Sequence, residues 1–286
     1  MNLANYKRLC GKTPLVEIRK GFYAKLETYN PTGSVKDRMI SYVVGKAIDS
    51  GEITKTTVLC EATSGNTGIA LSAVAASLGL DCMIFMPANM SEERKQMMRA
   101  YGTKIVDAPP DDFEAAIQMR NEFMKLEPLA WTPNQFDNLI NIECHQRTTA
   151  PEIHTQVNEL RMPWTAFVHG SGTGGTIEGV RRYIQQYELI TKTYMTIPAE
   201  APHGIQGIGD GRDFLASPED MAGTFVIKTS DAIQRARDFA RETGLLVGIS
   251  SGANILATEE YLDTHENNGA VVTIICDRGE RYMSIY

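Results

Sequence analysis

Thr57-Val58-Leu59-Cys60-Glu61, Cys82-Met83-Ile84-Phe85-Met86 and Lys104-Ile105-Val106 are short apolar runs with strand character. What separates them decides the fold. From Gly68 to Leu78 the chain is small residues and leucines, closed by Gly79, and reads as a helix. After the second run Pro87 stops the strand. Ser91 then stands at the head of a helix with Glu92 and Glu93 in its first turn, where the helix dipole favours anions, and Gly102 ends it. Another helix is expected over 112–126. Strands alternating with helices imply right-handed crossovers and a mostly parallel sheet.

The pattern returns further on. Thr165-Ala166-Phe167-Val168-His169 reads as a strand, Gly170 to Gly175 as a glycine loop and Thr176 to Tyr187 as a helix. Later strands are expected at 224–227 and 270–276, with helices near 231–243 and 253–265. Residues 188–223, with several Pro and Gly and little period, read as loops. The expected fold class is α/β, in two lobes that are each a mostly parallel twisted sheet flanked by helices. Ligands of open parallel sheets bind at the strand ends, so a cleft between the lobes is the expected site.

Composition narrows the function. The 286 residues carry 28 Lys and Arg against 35 Asp and Glu, a net charge of −7, the wrong sign for neutralising nucleic-acid phosphates. No apolar run approaches the ~20 residues that cross a bilayer, and the first residues lack the apolar stretch of a secretory signal. The scattered Cys10, Cys60, Cys82, Cys144 and Cys276 fit neither a disulfide framework nor a metal-ligand spacing, and read as reduced core thiols in a cytoplasmic protein. The five histidines show no pairing suited to zinc, so no metal is expected.

Four segments can carry chemistry. In Asn30-Pro31-Thr32-Gly33-Ser34-Val35-Lys36-Asp37-Arg38 the Pro and Gly force a turn and a helix starts near Val35. A lone lysine there is ordinarily a solvated surface residue. Beside the positive end of a helix dipole and desolvated, it becomes a nucleophile toward carbonyl carbon. Thr63-Ser64-Gly65-Asn66-Thr67-Gly68 follows a strand and enters a helix, bringing three hydroxyls, an amide and free backbone N–H groups together, which suits a carboxylate or phosphate. One cap hydroxyl would satisfy an ordinary turn; three exceed it. Gly170-Ser171-Gly172-Thr173-Gly174-Gly175-Thr176 makes a glycine cup on a helix N-terminus, suited to phosphate. It also matches the dinucleotide fingerprint, but Glu188 precedes the next apolar run and does not end it, as a ribose-binding acid should. Gly248-Ile249-Ser250-Ser251-Gly252-Ala253 enters a helix too, and its ordinary reading is an N-cap serine.

Together these segments resemble the signatures of the cysteine synthases, pyridoxal-phosphate enzymes of fold type II (tryptophan synthase β-like). Gly11-Lys12-Thr13-Pro14-Leu15-Val16, Met90-Ser91-Glu92-Glu93-Arg94-Lys95, Ile205-Gln206-Gly207-Ile208-Gly209 and an ending, Ile275-Cys276-Asp277-Arg278-Gly279-Glu280-Arg281-Tyr282, like that of the cysteine synthase B branch extend the likeness. It runs from about residue 8 to the end. The resemblance implies pyridoxal 5'-phosphate held by Lys36 as a Schiff base, with Asn66 on the ring hydroxyl. Gly172, Thr173, Gly174, Gly175 and Thr176 cradle the phosphate, and Ser250 meets the ring nitrogen. Thr63, Ser64, Gly65, Asn66, Thr67, Gln135 and Gly207 are the implied substrate contacts. A smaller mobile domain is expected at 38–145 and a larger cofactor-binding domain at 1–37 plus 146–286.

The implied reaction replaces the β-substituent of O-acetylserine with sulfide or thiosulfate through an α-aminoacrylate, giving cysteine. Lys36 is the base at Cα. A homodimer, and docking of a serine acetyltransferase tail, are implied partners. Departures from the family are a segment before Gly207 about twenty residues short and Ala150 where Gly is usual. The shortened segment bears on acceptor and donor preference. Competing readings are a serine or threonine dehydratase, an O-phosphoserine sulfhydrylase or a cystathionine β-synthase-like activity on the same fold, a nicotinamide dehydrogenase, and an inactive binding partner.

Overall fold

The computed structural model describes residues 3–209 and 215–286. The chain begins with helix α1 (Leu3–Leu9), strands β1 (Leu15–Arg19) and β2 (Phe22–Leu26), and helix α2 (Lys36–Asp49). An alternating run follows: β3 (Val58–Ala62), α3 (Asn66–Leu78), β4 (Cys82–Pro87), α4 (Glu92–Ala100), β5 (Lys104–Ala108), α5 (Phe113–Leu126) and β6 (Ala130–Trp131). Helices α6 (Leu139–Arg147) and α7 (Thr149–Glu159) come in succession. They lead to β7 (Trp164–Gly170), α8 (Gly175–Gln186), β8 (Lys192–Pro198), β9 (Gly223–Ile227), α9 (Thr229–Thr243), α10 (Ile249–Thr264) and β10 (Ala270–Ile275). Among the described residues no helix is long and apolar enough to cross a membrane.

Two compact units result, Met1–Cys10 with Asn30–Asn134 and Gly11–Tyr29 with Gln135–Tyr286. Helix α1 and residues 30–37 join the first unit, although the sequence reading puts them in the larger domain, because α2 packs along α3 and α1 packs on both. Residues 135–145 join the second because α6 packs along α8.

The first unit holds the sheet β5-β4-β3-β6, all parallel. Helix α3 is buried over Thr67–Ala75, which explains why its sequence is small and apolar on every side. Gly79 closes it in the left-handed region, at φ 70°. On the other face Phe85, Cys60 and Ala116 form a core that α5 covers.

The second unit holds the sheet β1-β2-β10-β7-β8-β9. It is parallel throughout except for the antiparallel β1–β2 pair. Every residue of β10, Ala-Val-Val-Thr-Ile-Ile, is buried, as a central strand with helices on both faces requires. Strand β8 corrects the reading of 188–223 as loop. Thr193-Tyr194-Met195-Thr196 is a fully buried strand interior, and the surrounding Pro and Gly hid it. Helix α10 begins at Ile249, ahead of the expected 253, because its Ile249-Ser250-Ser251-Gly252 opening is held by burial and not by propensity.

No disulfide joins any of the five cysteines. Cys60, Cys82 and Cys144 are buried, and burial pushes Cys60 up to about 12 and Cys82 up to about 11, so both stay protonated and inert. Cys10 and Cys276 are only half-buried, which corrects the reading of all five as core thiols.

Candidate active site

In the first unit, Lys36 is the first residue of α2 and is half-buried. Its backbone N–H donates to Ser34 Oγ at 3.3 Å, so the serine takes up one of the orphan donors of the helix start. The turn before it is tied to Asp37, which is fully buried. Asp37 Oδ2 accepts from Thr32 N–H at 3.0 Å, Thr32 Oγ1 at 2.9 Å and Ser34 N–H at 3.4 Å, and Oδ1 accepts from Tyr6 Oη at 2.8 Å. Burial pushes the Asp37 carboxyl above its ordinary range, and the bonds from Tyr6 and Thr32 draw it partly back. Lys36 therefore leaves a turn whose conformation is over-determined.

The loop Thr63–Gly65 leaves the carboxyl end of β3 and feeds α3, so Asn66 and Thr67 are the first two helical residues. Gly65 N–H donates to Thr63 Oγ1 at 3.2 Å. Behind the loop lies Arg94 of α4, 2% exposed, whose Nη1 donates to the Ser64 carbonyl at 3.1 Å. A Cβ on Gly65 would come within 2.6 Å of Arg94 Cδ, so only glycine lets the arginine lie against this backbone. Ser64 is exposed, Asn66 half-buried and Thr67 buried.

In the second unit, the glycine segment leaves the carboxyl end of β7 and α8 starts at Gly175. Gly174 has φ +88°, a left-handed conformation that glycine adopts without strain. The loop is stitched to its neighbours: Gly209 N–H donates to the Ser171 carbonyl at 2.8 Å and Leu215 N–H to the Thr173 carbonyl at 3.0 Å. A Cβ on Gly172 would lie 2.4 Å from the Gly207 carbonyl, and one on Gly175 would lie 2.1 Å from Asn141 Oδ1. Gly207, at φ +103°, approaches Ser250 so closely that a Cβ there would lie 3.2 Å from its Oγ. Gln135 belongs to this unit and reaches the cup through its backbone carbonyl, which accepts from Asn141.

Ser250 is the second residue of α10, 5% exposed, and Gly248 occupies the N-cap position, which corrects the N-cap reading of the serine. Its hydroxyl makes no hydrogen bond among the described residues and is not sealed from solvent, so it is open to a ligand.

These features fit pyridoxal phosphate. A phosphate dianion needs N–H and O–H donors at a helix N-terminus, and Gly172–Thr176 supplies them with no side chain filling the cradle. In the same unit the free Ser250 hydroxyl suits a ring nitrogen; in the first unit Lys36 carries a primary amine of the kind that condenses with an aldehyde.

Sequence reasoning gave no role to Asp37, Tyr6, Asn141 or His145. The signal for the last two was present: Asn141 and His145 stand four residues apart and so share one side of α6.

Each unit thus carries residues suited to a pyridoxal-phosphate enzyme, and comparison with known proteins defines that class. Residues 6–277 match the model of the family described as pyridoxal-phosphate dependent enzymes. The chain belongs to this family, and within it to the cysteine synthases. It is 35% identical over 300 residues to a probable cysteine synthase of Bacillus subtilis, covering 99% of this chain and 96% of that one. With cysteine synthase B of Campylobacter jejuni it shares 34% identity over 291 residues, 96% of this chain and 95% of that one. Among solved structures it is similar to a hydrogen sulfide-producing enzyme of Fusobacterium nucleatum, with TM-score 0.91, 36% identity and coverage of 99% and 90%. An O-acetylserine dependent cystathionine beta-synthase of Helicobacter pylori aligns with TM-score 0.90, 34% identity and coverage of 98% and 96%.

Proposed function

We propose that this cysteine synthase exchanges the acetoxy group of O-acetylserine for sulfide or thiosulfate, with Lys36 as the catalytic base. The observation that carries the reading is the unpartnered hydroxyl of the largely buried Ser250, on the first turn of α10. A hydroxyl facing the ring nitrogen does not hold a proton there as a carboxylate does. The ring then acts as a mild electron sink, which favours prompt loss of a β-substituent over long-lived carbanion chemistry such as transamination.

When bound, pyridoxal phosphate supplies that electron sink for the bond-breaking at Cα. Gly172–Thr176 would hold its phosphate, Asn66 its ring hydroxyl and Lys36 its aldehyde. Thr63, Ser64, Gly65, Asn66 and Thr67, with Gln135 and Gly207, grip and orient the substrate. Once displaced by the substrate amine, the Lys36 amine takes the Cα proton. The Cβ–O bond breaks and acetate leaves with its electron pair. Sulfide then forms the Cβ–S bond, and Lys36 returns its proton to Cα. Holding the carboxylate fixed places the Cα–H bond within reach of Lys36 and keeps water from competing with sulfide.

The Helicobacter relative favours a second reading, the same replacement with a thiol larger than sulfide, giving a thioether. Product analysis separates the two. O-acetylserine with sulfide should give cysteine and acetate in equal amounts. Thioether from homocysteine at a faster rate than cysteine from sulfide would select the second reading. Pyruvate and ammonia with no sulfur incorporated would overturn both. A homodimer forms part of the proposal, and sedimentation at micromolar concentration checks it.

A further inference from the structure

Helix α6 carries Asn141 and His145 one turn apart, and Thr149 opens α7 a turn later. All three are buried. Asn141 Nδ2 donates to the Gln135 carbonyl and to Thr173 Oγ1, both at 3.0 Å. A backbone carbonyl only accepts, so it fixes which end of the amide faces the cup. Gly175 N–H donates to the same Thr173 Oγ1 at 3.3 Å. Both lone pairs of that oxygen are thus engaged, and its own O–H remains to be donated.

His145 places Nδ1 2.8 Å from Thr149 Oγ1 and Nε2 3.2 Å from Thr176 Oγ1. A neutral imidazole has one donor and one acceptor nitrogen, so one hydroxyl gives a proton to the ring and the other receives one. Thr149 decides the direction. It is fully buried, and among the described residues His145 Nδ1 is the partner of its hydroxyl. The reverse arrangement would leave the Thr149 O–H in the interior with no acceptor, which proteins avoid. Thr149 therefore donates to Nδ1, the ring proton sits on Nε2, and Nε2–H donates to Thr176 Oγ1. The Thr176 O–H is released as well.

We infer that α6 sets the hydrogen-bond polarity of the glycine cup: Asn141 and His145 turn the hydroxyls of Thr173 and Thr176 into donors and so select a phosphorylated ligand. The inference rests on the reading of the cup as the phosphate site. Asn141 and His145 are positioning residues, acting through the threonines and not on the ligand.

Full-length protein stripped of cofactor is titrated with pyridoxal phosphate and, in parallel, with pyridoxal, which lacks the phosphate. Asn141→Leu and His145→Leu should each weaken pyridoxal phosphate about ten- to a hundredfold, the loss expected for a hydrogen bond to a charged group, while leaving pyridoxal binding unchanged. His145→Gln, which keeps an N–H at similar reach, should recover most of the loss. Nitrogen-15 NMR of the unmutated holoenzyme, assigned with His145→Gln, should find the His145 proton on Nε2. A proton on Nδ1, or equal losses for both ligands in the leucine variants, overturns the inference. If Thr173→Val and Thr176→Val bind pyridoxal phosphate like the wild type, the phosphate-site reading itself falls. Should the leucine variants fail to fold, the NMR measurement on the unmutated protein decides alone.

Discussion

The turn that carries Lys36 and the glycine cup that heads α8 are both short loops feeding a helix N-terminus, yet they are held with opposite polarity. At the first, a buried carboxylate collects donors: Asp37 accepts from Tyr6, Thr32 and Ser34. At the second, donors from α6 are spent on hydroxyl oxygens, and the hydroxyl protons are left over. A loop whose N–H groups are consumed by its own protein is fixed in place and offers nothing to an anion, which suits a site whose task is to present one amine. A loop supported by donors offers its own donors outward, which suits a phosphate. The supporting residues thus decide what each helix N-terminus can bind.

The comparison can be broken at several points. Lys36→Ala should cut turnover by about a thousandfold or more, the loss typical of an essential nucleophile or base, while the protein still binds pyridoxal phosphate reversibly through the cup. Steady-state rates and equilibrium dialysis measure the two effects; turnover that persists would remove Lys36 from the mechanism. Asp37→Ala strands several buried donors at once and should lower the unfolding free energy in urea by about 3 kcal/mol. Tyr6→Phe removes one donor and should cost about 1 kcal/mol, with the turn intact.

The smallest effect is the most diagnostic. Burial holds the Asp37 carboxyl above its unfolded range, so the folded state binds its proton more tightly than the unfolded chain. That contribution is present at low pH and lost as pH rises through the raised folded value. Glu178 on α8 runs the other way. Burial pushes it up, but Arg181 and Arg182, at 2.7 Å each, hold it below the usual carboxylate range. Its contribution is present above the unfolded value and lost as pH falls through the lowered one. Unfolding free energies at several pH values, for the wild type against Asp37→Asn and Glu178→Gln, should therefore show difference slopes of opposite sign. Slopes of the same sign would contradict the opposite directions of the two carboxyl shifts.

Much of this was legible in the sequence where the signal is local. Strands β3, β4, β5 and β7 are dense apolar runs bounded by Gly, Pro or polar turns, and their helices carry their own start and stop residues. The cup and the Thr63–Thr67 loop were legible because each follows a strand and enters a helix. Strand β8 was lost because a single buried strand lies in a segment rich in Pro and Gly. The β1–β2 hairpin was lost because Glu17, Arg19 and Lys25 break up its apolar pattern, and the buried Lys25 is held by Thr13, Glu152 and Gln156. The residues behind the site were hidden for a different reason. Tyr6 and Asp37 lie 31 positions apart, and Asn141 and Thr173 lie 32 apart. Such pairs exist only once the chain has folded.

Lys36 is proposed as the residue that holds the cofactor. Reduction of the holoenzyme with borohydride, followed by peptide mass spectrometry, would fix the lysine–cofactor linkage where it stands. The pyridoxyl-phosphate mass should fall on the peptide containing Lys36 and on no other lysine. The mass on a different lysine, or on none in protein that retains cofactor, would contradict it.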